Sequence, residues 1–449
     1  MSRVTVVGAG YVGTVTAVCL AFLGHDVVGL DLSRIRAEQL AAGQVPFHEP
    51  GLPERLRQGL ESGRLSFTSD PAIAAGSADV IFLCVGTPAD GSGVPDMSQV
   101  EAAVRAIAPH LKPGVVVVSK STVPVGSGNW VRTMIEEALP DTDGIEFHVV
   151  SNPEFLREGS AVEDFLYPDR IVLGGESSGE SSGQGTQVVA DLYGRLLSQD
   201  FAGGRPGCQP QLICTDLPSA EMVKYAANAF LATKISFANE IANICELVGA
   251  DARQVLSAIG ADSRIGPQFL RPGIGWGGSC FRKDVAALIA TGLDYGYGSP
   301  ILRAVVDVNQ DQRVLVLRKL QAALKTLKGR RIAVFGLAFK PDTDDLRDAP
   351  SIEIIRKLHA AGAVVSAYDP IVKEVPELDD VPVRIGADAY DAANRADAVV
   401  IATEWPHFAA LDLRKLRDKM RGCLILDGRG MVAEDAAAEA GLTVSGFGR

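Results

Sequence analysis

The chain is expected to be an α/β protein, with two Rossmann-like doubly wound domains joined by a long central helix. Three observations predict this. A glycine-rich turn separates a strand from a helix at residues 8–13, a helical pattern runs unbroken from about 219 to 248, and residues 331–403 echo the strands of residues 3–85. At 449 residues the chain exceeds one ordinary core, and boundaries are expected at 1–205, 206–328 and 329–449. The net charge of -12 supplies no general attraction for nucleic acid, so that class of partner is discounted. The cysteines at 19, 84, 208, 214, 245, 280 and 423 form no CxxC pair and read as reduced thiols. The 6 histidines are dispersed, and no metal site is expected. Met1 to Val7 leads straight into a strand, and no apolar run reaches membrane-spanning length; a soluble, cytoplasmic protein without a membrane partner is expected.

Arg3 to Val7 is the first strand, and Gly8-Ala-Gly10-Tyr11-Val12-Gly13 opens the helix Thr14 to Leu23. Gly8 permits the tight turn, Gly10 lets a pyrophosphate approach the backbone, and Gly13 allows close helix packing, with the helix N-terminus facing the phosphates. The next strand, His25 to Leu30, ends in Asp31, placed to take the adenosine ribose hydroxyls. An acidic residue there repels a 2′-phosphate, so NAD is the expected cofactor rather than NADP. Arg36 either contacts the adenine ribose or lies on a solvated helix face.

Two buried parallel strands follow, Ala78 to Val85 and Val115 to Ser119, ending in Gly86-Thr87-Pro88 and Lys120-Ser121-Thr122-Val123-Pro124-Val125-Gly126. Ligands gather at such carboxyl ends, which draws attention to Thr87 and Thr122, although each hydroxyl also suits a simple turn. Glu154 and Glu158 share a face if a helical turn starts after Pro153; taken alone, such carboxylates are ordinarily solvated. Gly174 to Gly185 is of low complexity and reads as a flexible surface loop. The helical pattern from Ser219 to Val248 would extend about 45 Å, enough to bridge two domains, with Lys224 and Asn228 one turn apart on one face.

Arg271 to Asp284 reads Arg-Pro-Gly-Ile-Gly-Trp-Gly-Gly-Ser-Cys-Phe-Arg-Lys-Asp. The glycines at 273, 275, 277 and 278 leave the backbone bare enough for a ligand to lie against it. Ser279 caps a helix running from Cys280 to Thr291, and Gly292 stops it. Cys280 thus falls in the first turn, where the helix dipole and Lys283 favour a thiolate, and Asp284 lies on the same face. The alternative is a small buried hydrophobe.

From residue 331 the chain repeats itself. Arg331 to Gly336 echoes Arg3 to Gly8, Val364 to Asp369 echoes Val27 to Asp31, and Ala396 to Thr403 echoes Ala78 to Val85. The glycine fingerprint is absent after Gly336, so this half should bind a different phosphate ligand, with Lys340, Arg347 and Arg429 supplying charge.

Taken together, GAGYVG, Glu49-Pro50-Gly51-Leu52, VGTP (85–88), KSTVPVG (120–126), SNPEFLREG (151–159), Lys224 with Asn228, GGSCF-KD (277–284), GLAFKPDTDD-R (336–347) and DGR (427–429) resemble the UDP-glucose/GDP-mannose dehydrogenase family over nearly the whole chain. Arg282 departs from the family's usual proline. The resemblance implies a four-electron oxidation of a nucleotide sugar's primary alcohol to a carboxylate by two NAD in succession, through a thiohemiacetal and a thioester on Cys280. It assigns Lys224 and Asn228 to oxyanion charge, Asp284 with Thr122 to proton handling, and Glu154 to thioester hydrolysis. It matches Gly8, Gly10, Tyr11, Val12, Gly13, Asp31, Arg36, Thr87, Thr122, Glu158, Lys283 and Arg347 to the cofactor. The nucleotide-sugar pocket would draw on Glu154, Phe155, Leu156, Arg157, Lys224, Asn228, Phe269, Leu270, Arg271, Pro272, Gly273, Gly277, Lys340 and Arg429. Arg264 matches an arginine contributed by a neighbouring subunit, so a homodimer or larger homo-oligomer is implied, with the long helix at its interface. The stretches Gly336 to Pro350 and Thr403 to Trp405 point to UDP-glucose as substrate; GDP-mannose or another nucleotide sugar is the alternative, and a non-catalytic nucleotide-sugar-binding protein the rival from another class.

Overall fold

Valine- and isoleucine-rich runs become strands buried on both faces. Val115–Ser119 and Val80–Leu83 are buried at every position, as parallel strands covered by helices should be. The computed structural model describes residues 1–88, 93–139, 145–176 and 183–448. Met1–Ala227 with Ala286–Thr291 forms one compact unit, and Asn228–Val285 with Gly292–Arg449 forms the other.

The strands of the first unit are β1 (Arg3–Val7), β2 (Asp26–Leu30), β3 (Leu65–Thr68), β4 (Val80–Leu83), β5 (Val115–Ser119), β6 (Phe147–Ser151), β7 (Arg170–Gly175) and β8 (Gln211–Asp216). They form an 8-stranded sheet of order β3-β2-β1-β4-β5-β6-β7-β8. All neighbours pair parallel except β6 and β7, which meet antiparallel at Ser151 and Gly174. Strand alternation sends Val4 and Val6 into one hydrophobic cluster and Val7 into another, so each face has its own core. The order reverses between β1 and β4, which makes their carboxyl ends the crevice where a doubly wound sheet binds its ligand.

The second unit repeats this plan. Its strands β9 (Arg331–Phe335), β10 (Val364–Tyr368), β11 (Val383–Ile385), β12 (Ala398–Ile401), β13 (Leu424–Asp427) and β14 (Thr443–Ser445) are ordered β11-β10-β9-β12-β13-β14. The likeness reaches single hydrogen bonds. Asp79 accepts Arg3 N at 2.8 Å, and Asp397 accepts Arg331 N at 2.8 Å. Gly8 turns at φ 90° and Gly336 at φ 91°; Asp31 accepts Ala9 N at 2.9 Å, and Asp369 accepts Leu337 N at 2.8 Å. Asp369 is then used up by Ala338 N, Trp405 Nε1, Ile371 N and Val372 N, so it has nothing left for a ribose.

The long helix spans Leu217–Val248, starting in the first unit and continuing into the second. Among the described residues no helix is long and apolar enough to cross a membrane. Two local expectations need correction. Residues 177–182 of the low-complexity stretch lie outside the described residues, but Gly174 and Gly175 close β7 and Gln184 opens the helix Gln184–Leu192. A Cβ on Gly174 would stand 2.5 Å from Ala220 Cβ, so that glycine serves close packing rather than flexibility. Gly292 likewise does not stop the cysteine helix, which runs Ser279–Asp294; a Cβ there would meet Ser299 Oγ at 2.6 Å.

Candidate active site

In the first unit the nucleotide turn is built as its glycines demand. A Cβ on Gly13 would fall 1.8 Å from Gly8 O, because the helix Tyr11–Phe22 packs directly onto the turn. At Gly10 a Cβ would meet nothing within 4 Å, so the backbone faces open space where a pyrophosphate can approach. Asp31 is held by Ala9 N at 2.9 Å and Ser33 N at 2.8 Å. Arg36, its side chain 48% exposed, reaches the same carboxylate at 3.4 Å. These features fit NAD.

Tyr11 donates its hydroxyl to Glu49, whose carboxylate also accepts Gly159 N at 2.7 Å and Val162 N at 3.3 Å. Burial first, and the Glu49 hydrogen bond second, push the Tyr11 phenol well above its usual range. Glu49 is buried and ties the nucleotide turn to the far end of the 151–159 segment. The sequence offered the clue, a carboxylate in Glu49-Pro50-Gly51-Leu52, without the partner.

Glu154 and Glu158 do not share a helical face. Residues 152–157 are not helical, and the next helix begins at Ala161. Pro153 precedes a carboxylate that bonds Leu156 N at 2.6 Å, which competes with helix formation, and Gly159 turns at φ 78°. Glu154 instead binds Lys224 Nζ at 2.7 Å, with the two side chains 7% and 4% exposed. Phe155 lies beside this pair, its ring 5.6 Å from Lys224 Nζ and 4.0 Å from the Arg170 guanidinium. Arg157 is engaged by Asp164 at 2.6 and 3.0 Å. Thr87 donates to Thr122 O at 2.7 Å, which joins the turns after β4 and β5.

The segment after Thr122 is anchored by Glu221, one turn before Lys224 on the long helix. Its carboxylate accepts Gly126 N at 2.6 Å and Gly128 N at 2.8 Å, capping the helix Ser127–Ala138. Burial outweighs those donors and pushes its pKa up to about 7. The folded protein then holds a proton that the unfolded chain releases. This stability is present below the usual carboxylate pKa and is lost as pH rises through about 7, at about 1.4 kcal/mol per pH unit. Glu221→Gln should therefore gain stability relative to the parent between about pH 5 and 7 and track it above that range. Denaturant melts across pH measure this; a constant difference would refute it.

In the second unit Cys280 lies in the first turn of Ser279–Asp294, partly exposed, with Ser279 Oγ at 3.7 Å. Ser279 is itself helical rather than the residue ahead of the helix. Asp284, 1% exposed, accepts Asn228 Nδ2 at 2.6 Å and Lys283 Nζ at 2.6 Å, so the helix turn after the thiol carries a fixed carboxylate.

The glycine run ahead of Cys280 is explained differently from the expectation of a bare ligand-facing backbone. A Cβ on Gly273, Gly275, Gly277 or Gly278 would meet Gly428 O at 2.5 Å, Asn309 Oδ1 at 2.6 Å, Asp348 O at 2.4 Å and the Phe339 ring at 2.8 Å. The protein's own chain occupies those approaches. Polar groups then pin the loop: Asn239 accepts Gly273 N, Gln312 donates to Gly273 O, Asn309 accepts Trp276 N, and Arg313 donates to Trp276 O, at 2.7–2.8 Å. Asn309, Gln312 and Arg313 were missed. Three polar residues at one-turn spacing on the buried side of the helix Pro300–Leu324 were the available signal.

Among the other residues, Arg429 donates to Ala402 O at 2.9 Å and Gly275 O at 3.2 Å, and pairs with Glu404 at 3.1 Å. Lys340 Nζ lies 5.6 Å from the Phe339 ring, and Arg347 pairs with Asp345 at 2.8 Å. Phe269 adopts φ 64°, an uncommon conformation for a bulky residue, and Leu270 is buried in a helical cluster, so its side chain is committed to packing. Arg271 is exposed and Pro272 half-buried. The Arg264 side chain is 86% exposed and pairs with nearby Asp262 at 2.5 Å. Arg282, in place of proline, donates to Asp348 at 2.9 Å.

Comparison with known proteins follows the same lines. Residues 2–197, 218–311 and 333–434 match, in order, the NAD binding, central and UDP binding domains of the UDP-glucose/GDP-mannose dehydrogenase family. The chain is 44% identical over 449 residues to a UDP-glucose 6-dehydrogenase of Rhizobium meliloti, covering 100% of this chain and 99% of that one. It is similar to the structure of a UDP-glucose dehydrogenase from Pyrobaculum islandicum, with a TM-score of 0.88, 38% identity and coverage of 99% and 97%. A UDP-D-ManNAc dehydrogenase from Pyrococcus horikoshii is similar at a TM-score of 0.86 and 28% identity, covering 100% and 99%.

Proposed function

Because this chain belongs to the UDP-glucose/GDP-mannose dehydrogenase family and uses NAD, we propose that it oxidises UDP-glucose to UDP-glucuronate through a covalent adduct on Cys280. The observation that carries the covalent route is the cysteine in the first turn of its helix, followed one turn later by a buried carboxylate held by Asn228 and Lys283. NAD, when bound, supplies the acceptor for both hydrides, the one leaving the alcohol and the one leaving the thiohemiacetal.

The protein's side chains do the rest. The Cys280 sulfur attacks the aldehyde carbon, and charge develops on the carbonyl oxygen, for which Lys224 and Asn228 are the donors. Asp284, with Thr122, handles the alcohol proton. In the last step water displaces sulfur from the acyl carbon while Glu154 accepts the water's proton. Lys340 and Arg429 are assigned to the nucleotide sugar, and Arg347, Lys283 and Glu158 to the cofactor. The same reading divides the chain at 1–205, 206–328 and 329–449.

The test is NADH formed per sugar consumed, with UDP-glucose, GDP-mannose and UDP-N-acetylglucosamine in parallel. Two per UDP-glucose is expected. One would mean an enzyme that stops at the aldehyde and would remove Cys280 from the chemistry, whereas none with any of the three would favour a binding protein.

A homodimer or larger assembly belongs to this proposal. Met222, Phe230, Phe237 and Ile244 lie seven or eight residues apart along the long helix, with Val248 one turn beyond, and are exposed by 37%, 64%, 47%, 48% and 71%, an apolar stripe that a second copy would cover. Arg264 is then the residue offered to the neighbouring site. Phe230→Asp with Phe237→Asp should sediment as a monomer; an unchanged assembly would place the interface elsewhere.

A further inference from the structure

Glu154 lines a cavity of about 50 Å³ in the first unit, together with Lys120, Asn152, Asp164, Arg170 and Tyr193. That volume admits roughly a few water molecules, and its polar walls suit them. Lys120 is the unusual member. It is 5% exposed, and its Nζ stands 6.0, 5.8 and 6.0 Å from the ring centroids of Phe82, Phe165 and Tyr193. An ammonium carries three donors. Its one hydrogen-bond partner among the described residues is Asn152 Oδ1 at 3.1 Å, an oxygen that also accepts Tyr193 OH at 2.8 Å. Asn152 is itself fixed by Val172 O at 2.9 Å, so it cannot turn to offer more.

Burial lowers the Lys120 pKa, and the charge of Glu154 is among the influences that oppose this. A buried ammonium met by so few acceptors is costly, and a methionine would fill the same space without that cost. The fold alone does not explain the cation. Water in the adjoining cavity would satisfy its remaining donors and would in turn be presented to Glu154.

We propose that this cavity is a water site serving Glu154, and that Lys120 is the positioning residue that holds there the water consumed in thioester hydrolysis. The inference rests on the covalent reading of Cys280. In the step, the water oxygen bonds to the acyl carbon and a water proton passes to Glu154. The carbon–sulfur bond breaks with its electron pair leaving on sulfur, which restores the Cys280 thiolate. No oxidation or reduction takes place.

The test uses the full-length enzyme with NAD and UDP-glucose, rapid mixing to follow NADH, and intact mass of acid-quenched protein. In Lys120→Met the burst of two NADH per subunit should persist, while steady-state turnover falls by about tenfold or more and a covalent adduct accumulates. Leu196→Phe, which fills the cavity from its apolar wall, should do the same with Lys120 intact, and it carries the test if Lys120→Met does not fold. Steady-state rates equal to the parent's, or a fall in which the burst is lost as well, would overturn the proposal. The parent protein separates this from the reading beneath it: one NADH per sugar there means that the thioester route itself is wrong.

Discussion

Cys280→Ser should bind NAD and nucleotide sugar as the parent does, yet lose sustained acid production by about a thousandfold or more, equivalent to about 4 kcal/mol of activation free energy. A thiol of ordinary pKa supplies some thiolate near neutrality, and the start of the helix with Lys283 three residues on favours more. A serine hydroxyl at the same place is a far weaker acid than a thiol, so neither the helix start nor Lys283 gives it a useful fraction of alkoxide near neutrality. Even if an oxygen adduct formed, the resulting ester would be a poorer acyl donor than a thioester. Equilibrium binding and NADH progress curves measure the two halves of the prediction. Acid production by the serine variant at the parent's rate would exclude the covalent route.

Lys224→Met should damage both catalysis and the fold, and the two effects separate in a double variant. The Lys224 and Glu154 side chains are 4% and 7% exposed and 2.7 Å apart. Removing the ammonium strands a buried carboxylate, which costs roughly 3–5 kcal/mol. If Lys224 also stabilises the developing oxyanion, kcat should fall by about 10²–10³-fold. Adding Glu154→Gln removes the stranded charge, so Lys224→Met with Glu154→Gln should recover most of the lost stability and none of the lost rate of the NADH burst, which precedes hydrolysis. Because Glu154 is itself assigned to the hydrolysis that follows both hydride transfers, the NADH burst is the readout: a double variant that regains the burst rate together with stability would reduce Lys224 to a structural partner of Glu154. Thermal melts and the rate of the NADH burst, measured on the parent, both single variants and the double, complete the cycle.

The two predictions draw on different sources of information. Cys280 stood out in the sequence because a lone cysteine, a helix start, a lysine and an aspartate lie within a few residues of one another. Lys224 drew attention only through its place on the long helix and the family resemblance: on a helix a lysine is usually solvated, and only the fold shows that this one is buried against a carboxylate seventy positions away in the chain. The glycines before Cys280 were legible as glycines but not for their reason, since the atoms that exclude a Cβ belong to Asn309, Phe339, Asp348 and Gly428. The expectation of paired carboxylates at 154 and 158 failed for the same cause. A helix was assumed from spacing, and a local side-chain bond to Leu156 N prevailed.

By itself the sequence determined the strands, the turn that follows β1, the long helix and the internal repeat. Each rests on periodicity or on residues adjacent in the chain, where the allowed conformations of a short segment decide the outcome. Tertiary structure alone decided which charges are buried together: Glu154 with Lys224, Asp284 with Asn228 and Lys283, Glu49 with Tyr11, Glu221 with the turn at Gly126, and Lys120 with its ring of aromatics. The physical reason is that a charged side chain costs little in water whatever its neighbours in sequence, whereas in the interior it persists only beside groups that meet it, and the fold brings those groups from distant positions.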